Sequence, residues 1–197
     1  MRRFMDKLKE CALSFNNLLN KEYYIKAEKK DKLIEIQLFF AKKHFYHLLG
    51  LHKLKDIRQI SRNTTNLFDD ICSGKITYSD IVSSTFYDEI SDRLYYFHNL
   101  ENILDSEEII IKYNQNKARS SIEAKYIIYS KINEVNVHYF IDIDENEGKY
   151  FGRTFFTRRD YLYLQDKPYK ISEKIKYGNG CVISKKELKS TPIESSG

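Results

Sequence analysis

Val135-Asn-Val-His-Tyr-Phe-Ile-Asp-Ile-Asp144 decides how this chain folds. Val135, Val137, Tyr139, Ile141 and Ile143 alternate with Asn136, His138, Phe140, Asp142 and Asp144, which is the two-residue period of a strand with one buried face. Segments 108–112, 121–130, 149–158 and 169–177 are β-rich in the same way and are separated by short polar turns, so they read as an antiparallel sheet.

Upstream of residue 105 the period is helical. Phe4, Leu8, Cys11, Ala12, Phe15, Leu18 and Leu19 mark an amphipathic helix, and Phe86, Ile90, Leu94, Phe97, Leu100 and Leu104 mark a longer one. Between them, 23–28 and 33–39 read as a hairpin about the turn Lys29-Lys30-Asp31-Lys32, and 63–73 as a short helix stopped by Gly74. The fold class expected is α+β: N-terminal helices and a β-hairpin, then a mainly antiparallel sheet of about four to five strands. One domain over 1–184 is expected, helical to about 105 and sheet thereafter, with 185–197 as a flexible tail.

Composition narrows the classes. The chain has 197 residues, few Gly and Pro, and 28 Tyr and Phe together, which suits a packed core rather than disorder. Cys11, Cys72 and Cys181 are far apart and odd in number, arguing against a disulfide framework or a zinc site and for a reducing, cytoplasmic setting. No apolar run can span a bilayer, and the first residues lack the pattern of a secretory leader. The net charge of +5 is uneven: residues 149–189 hold eleven Lys or Arg against four Asp or Glu, or +7, and the remainder sums to −2. A basic last third suits a polyanion such as RNA, or equally a solvated strand surface.

The chemistry-bearing stretch is Ala41-Lys-Lys-His-Phe-Tyr-His-Leu-Leu-Gly-Leu-His-Lys-Leu-Lys-Asp-Ile57. His44 and His47 share a helical face, and Gly50 breaks the turn and delivers His52 and Lys53 close by. The strand alternation places Lys125, His138, Arg153 or Thr154, and Lys170 or Lys174 on the sheet face away from the core. A helix bearing imidazoles opposite such a face suits RNA cleavage by the 2′-OH. His supplies acid and base, Lys or Arg stabilises the phosphorane, and Tyr126, Tyr161 or Tyr163 stack on bases. Each residue also has a plainer reading, as a solvated strand histidine or the boundary of a packed helix. The spacing of three between His44 and His47 is not that of a zinc protease helix, so no metal site is expected.

Several strings resemble a known family: Phe15-x-x-Leu-Leu before Tyr23-Tyr24-Ile25, and Phe45-x-His47-Leu-Leu-Gly-Leu-His-Lys-Leu. The same holds for Gly74-Lys-Ile-Thr77, Arg93, Ser121-x-Glu-Ala-Lys-Tyr126, and Thr154-Phe-Phe to Tyr161 with Gln165-x-x-Pro168. From about 15 to 176 the chain resembles the fourth subgroup of phage-encoded nucleases grouped with barnase, EndoU, the tRNA-cleaving colicins and RelE. The resemblance implies helices before a four-stranded antiparallel sheet and a metal-independent RNA endonuclease without cofactor, carried by a phage or mobile element. His47 is its strongest site candidate, followed by Lys53, Arg93 and Thr154, with Ser121 and Gln165 as substrate contacts.

The expectation is therefore a toxin-like, metal-independent ribonuclease acting on tRNA or mRNA. His47, His52, Lys53, Arg93, His138, Arg153 and Thr154 are its catalytic set, and His44, Ser121, Lys125, Arg158, Tyr161, Gln165 and Lys174 its substrate contacts. An antidote or host protein is a further expected partner. The rival is an inactive nuclease-like module that binds RNA or inhibits a host or defence protein.

Overall fold

The computed structural model describes residues 6–62, 64–106, 109–160, 162–164 and 166–188. Helix α1 (Lys7–Asn16) leads into the hairpin β1 (Lys21–Lys29) and β2 (Lys32–Phe39). Five short helices follow: α2 (Lys42–Leu48), α3 (Arg58–Arg62), α4 (Leu67–Ser73), α5 (Tyr78–Val82) and α6 (Ser91–Tyr96). Then come α7 (Leu100–Asp105), β3 (Ile109–Lys112), α8 (Gln115–Ala118), β4 (Tyr126–Ile132), β5 (Val135–Asp144), β6 (Lys149–Arg158), β7 (Lys170–Gly178) and β8 (Cys181–Glu187).

The sheet is larger than the sequence reading expects. Eight strands form one curled half-barrel in the order β3-β4-β5-β6-β2-β1-β7-β8. The early hairpin is not a separate unit but lies in the middle, with β1 antiparallel to β7 and β2 joined to β6 by a parallel bridge at Leu38 and Tyr150. A lone hairpin leaves two rows of unpaired backbone groups; β7 pairs the β1 row along its length, whereas β6 meets the β2 row at one bridge. The curl brings Ile110 of β3 against Tyr169 at the start of β7. Strand β8 takes in residues 185–187 of the expected tail. It escapes sequence reading because every residue in it is exposed, so it carries no alternation.

The concave face holds the main core, with Phe15 of α1 at its centre. That ring lies 5.6–6.1 Å from the rings of Phe40, Phe45, Phe68 and Phe97. Asp6 caps α1 by accepting the Lys9 N–H at 2.9 Å, and its other oxygen accepts the Tyr78 N–H at 2.7 Å, tying α1 to α5. The expected long helix over 86–104 is instead broken by single 3₁₀ turns at Tyr87–Glu89 and Phe97–Asn99. Its apolar repeat survives the tighter winding, since Ile90, Leu94, Phe97, Leu100 and Leu104 are all buried.

A second apolar cluster covers the opposite face of β4–β6. Tyr113, Ala118, Ile127 and Phe140 form it, with Tyr129, Phe156 and Tyr163 packed against them. Hence β5 is buried on both faces from Asn136 to Ile141, where its alternation predicts one. No helix among the described residues is long and apolar enough to cross a membrane.

Candidate active site

Strand β6 opens the site. Past the bridge at Tyr150 no described strand pairs with its outer edge, and α2 and α6 pack there instead. A bulge puts one extra residue, Arg153, into β6, because Phe140 pairs with Thr154 and Ile141 with Gly152. Bulges re-aim side chains next to them, and Arg153 and Thr154 both line a cleft of about 820 Å³ between β6 and the helices. His47, His52, Lys53 and Arg93 form its helical wall. Arg153, Thr154, Phe156 and Arg158 form the strand wall, and residues 120–123 with Tyr163 close the end.

Gly50 shapes the helical wall. It ends α2 at φ +78°, a left-handed conformation that suits glycine, and starts the 3₁₀ turn Leu51–Lys53. The chain doubles back so that the His47 and His52 rings lie 5.0 Å apart. A Cβ at position 50 would sit 2.9 Å from Ile90 Cγ2 and 3.0 Å from Arg93 Nε, so the missing side chain also makes room for the guanidinium.

Arg93 is the unusual charge of the site. It is 6% exposed, and its Nη1 donates to the Leu48 carbonyl at 3.2 Å and to Thr154 Oγ1 at 2.9 Å. Its Nε is buried without a partner, and the guanidinium lies 5.6 Å over the Phe156 ring. The other cations of the cleft are paired: Lys53 with Glu89 at 3.0 Å, Arg153 with Glu123 at 3.3 Å, and Arg158 with both oxygens of Asp160. Among the described cleft residues Arg93 is thus the cation without a carboxylate in ion-pairing reach. Burial pulls its pKa down to about 10, opposed by the Glu89 charge, so it stays protonated at neutral pH.

Burial first, and the neighbouring cations after it, favour the neutral imidazoles. Partial burial and then His47, Arg93 and Lys53 push His52 down to about 4, and partial burial and Arg153 lower His47. Both side chains still reach solvent. A neutral imidazole can accept a proton, and an anion seated on Arg93 would raise both rings toward their charged forms.

Other candidates lie elsewhere. Ser121 and Arg158 line the cleft, whereas Lys125 is exposed outside it. His44 is wedged between Phe39 and Phe151, ring centroids 5.2 and 5.0 Å away, and its Nδ1 accepts the Ala41 N–H at 3.1 Å as the cap of α2. His138 is fully buried in the second apolar cluster, stacked on Phe156 at 5.8 Å, with neither ring nitrogen hydrogen-bonded. The expectation that it projects from a polar sheet face is corrected by the cover that residues 113–122 and Tyr163 place over that face. Lys174 is likewise buried rather than on an open face. Its Nζ donates to the Leu104 carbonyl at 2.8 Å and to the Ser106 carbonyl, closing the end of α7. Tyr126 packs on Tyr150 and Tyr169, away from the cleft. Tyr161 and Gln165 lie outside the described residues.

Sequence reading missed Phe156, Ser120 and the carboxylates Asp88, Glu89, Asp92 and Glu123 as site residues, all of which line the cleft. Phe156 alternates in step with Thr154 and Arg158 on β6, and that spacing is the signal that could have found it. Glu123 stands inside the string Ser121-x-Glu-Ala-Lys-Tyr126, whereas nothing local marks Glu89, which reaches the cleft only through the fold. Among the described residues no group of three His, Cys, Asp or Glu is placed to hold a metal ion.

No curated protein and no solved structure matches the chain. A family model does, over nearly the whole length. From residue 7 to residue 190 the match holds, and the chain belongs to the phage-Barnase-EndoU-ColicinE5/D-RelE like nuclease 4 family.

Proposed function

We propose that the protein is an endoribonuclease that cleaves RNA by attack of a ribose 2′-OH on its own phosphate, without a metal. The observation that carries this reading is Arg93, a buried guanidinium with no carboxylate partner beside two neutral imidazoles 5.0 Å apart. A buried charge without a counterion favours an anionic ligand, and a phosphodiester fits a planar donor fork of this kind.

His47 takes the proton of the 2′-OH as oxygen attacks phosphorus. The P–O5′ bond breaks, and His52, protonated once the phosphate offsets the surrounding cations, gives a proton to the departing 5′ oxygen. Arg93 holds the phosphate and the charge that builds on its oxygens. Thr154, hydrogen-bonded to Arg93, is a positioning residue. Tyr163, at the end of the cleft, offers an aromatic ring to an unpaired base. His138, sealed behind Phe156, takes no part.

The test is incubation of purified protein with total bacterial RNA in EDTA beside a His47→Ala variant, with mapping of the new ends. Fragments ending in 2′,3′-cyclic phosphate, absent with the variant, support the reading. Intact RNA with both proteins folded overturns it and favours the inactive binding module.

A further inference from the structure

Three hollows meet at one side chain. His47 lines the cleft, and it also lines a groove of about 590 Å³ on the other side of α2, between that helix and residues 64–68. A third, smaller hollow of about 230 Å³ brings Lys43, His47 and Arg153 together where α2 meets β6. The exposed face of α2 is therefore a ridge that carries His47, with open space continuing past it in both directions.

The groove has its own chemistry. Lys42 and Lys43 supply two ammonium groups, Thr64 and Thr65 supply hydroxyls, and among the described residues no carboxylate lines it. Its floor is apolar, built from Phe45, Leu67 and Phe68. Tyr46 reaches both sides of the ridge. It lines the groove, and its ring lies edge-on 5.1 Å from His47 and 6.0 Å from His52. Lys43 and His47 are four residues apart on α2, about 6 Å along the axis, which is close to the step between successive phosphates of an extended strand.

The lysines are only loosely engaged. Lys42 pairs with Asp69 at 2.7 Å, with both side chains more than half exposed, and Lys43 meets Asp144 at 3.5 Å while itself 68% exposed. Pairs of this kind exchange readily with a stronger anion. Two cations, an aromatic ring and hydroxyls in a groove that shares His47 with the cleft suit a single-stranded nucleic acid better than an acidic peptide, which has no use for the ring.

We propose that this groove is a second nucleotide subsite. It holds the RNA flanking the bond that is cleaved, with phosphate on Lys42 and Lys43 and a base against Tyr46. The inference rests on the ribonuclease reading for the position of the scissile bond, and its test reads binding alone.

Affinity is measured for a dinucleotide and a decanucleotide, both 2′-O-methylated so that no 2′-OH can attack, over a range of salt. Three proteins are compared: the wild type, Lys42→Ala/Lys43→Ala, and the charge-matched control Lys32→Ala/Lys170→Ala, whose exposed lysines lie away from the groove. The groove variant is expected to lose roughly tenfold in decanucleotide affinity. The slope of log K against log salt should fall in magnitude by about 1.4, the value for two phosphates of a single strand. The advantage of the decanucleotide over the dinucleotide should shrink with it.

A groove variant that matches the control in affinity and slope overturns the subsite. If the wild type still cleaves natural RNA in that case, the ribonuclease reading stands without it. If the groove variant loses decanucleotide binding while the wild type never cleaves RNA, the subsite stands as a binding site and the ribonuclease reading falls.

Discussion

Arg93 and Lys176 are buried to nearly the same degree, 6% and 7% exposed, and the fold treats them differently. Lys176 Nζ contacts both oxygens of Asp105 at 2.6 and 2.9 Å and Glu101 at 2.8 Å, and it lies 5.5 Å over the Tyr23 ring. Tyr23 joins the same knot by donating its hydroxyl to Asp105 at 2.8 Å. Arg93 meets only neutral oxygens, from Leu48 and Thr154. Burying a charge is costly unless an opposite charge stands by. Lys176 is thus a finished structural contact binding β7 to α7, whereas Arg93 leaves a demand for an anion that the protein itself does not meet.

The contrast breaks cleanly under substitution. Arg93→Met is expected to lower RNA cleavage between about a hundredfold and a thousandfold, the range for losing one donor to transition-state charge. Its stability should change by no more than about 1 kcal/mol, because removing an uncompensated cation offsets the two lost hydrogen bonds. Lys176→Met should do the reverse. It strands Glu101 and Asp105, and with Asp105 partly solvated the cost is about 2 kcal/mol, or roughly 5 °C in Tm, with cleavage kept. Thermal unfolding and cleavage rates of the two variants side by side check both halves. Equal loss of activity in both would erase the distinction.

The same contrast marks what could be read from sequence. The strands 135–144 and 149–158 show in the alternation alone, and Gly50 correctly announces the turn that returns His52 to His47. The cations of the cleft are visible as residue types, but their pairing is not. Arg153, Arg158 and Lys53 find carboxylates from distant segments or loops, and Arg93 finds none. The +7 of residues 149–189 does not tell which of its cations are available. Lys149, Lys174, Lys176 and Lys185 are engaged by Glu22, by the end of α7, by Glu101 and Asp105, and by Glu173 and Glu187. Charge along a chain reports composition, and only the fold decides which charges remain available to a partner. Likewise, alternation in β5 reports two faces without telling whether a second layer covers the polar one, which is how His138 is mistaken for a surface residue.

His138 and the cleft histidines sharpen the comparison in acid. Burial, then the Arg158 charge, pushes His138 down to about 4, with Asp160 opposing, and burial does the same to His44. Below the ordinary value near 6.5 the unfolded chain takes up a proton that the folded one refuses until about pH 4, so stability falls as pH falls through that window. His138→Phe, placed among Phe140, Phe156 and Tyr163, removes one such penalty. It is expected to be about 2 kcal/mol more stable than the wild type at pH 5, relative to their difference at pH 8. Denaturant titrations at the two pH values read this directly. Cleavage at pH 8 should be kept, since His138 does not itself line the cleft and the new ring preserves the packing beneath Phe156 and Tyr163.

The smallest effect tests the demand of Arg93 most directly, because it needs no substrate. Inorganic sulfate at about ten times its Kd should stabilise the wild type by about 1.4 kcal/mol, a rise of roughly 4 °C in Tm. Arg93→Met should show no rise beyond that of an ionic-strength control, while Lys176→Met should keep the full shift. The pH dependence carries a sign. An anion beside His47 and His52 raises their pKa values, so the bound state holds more protons than the free state between about pH 4 and 7. Binding must therefore tighten as pH falls. The sulfate-induced shift should be larger at pH 5.5 than at pH 7.5, even though the acid penalty of His44 and His138 lowers Tm itself over the same interval. A shift independent of pH would mean that the anion sits out of reach of the imidazoles. Arg93 would then serve as an anchor remote from the acid–base pair, and the two halves of the proposed site would not act on one phosphate.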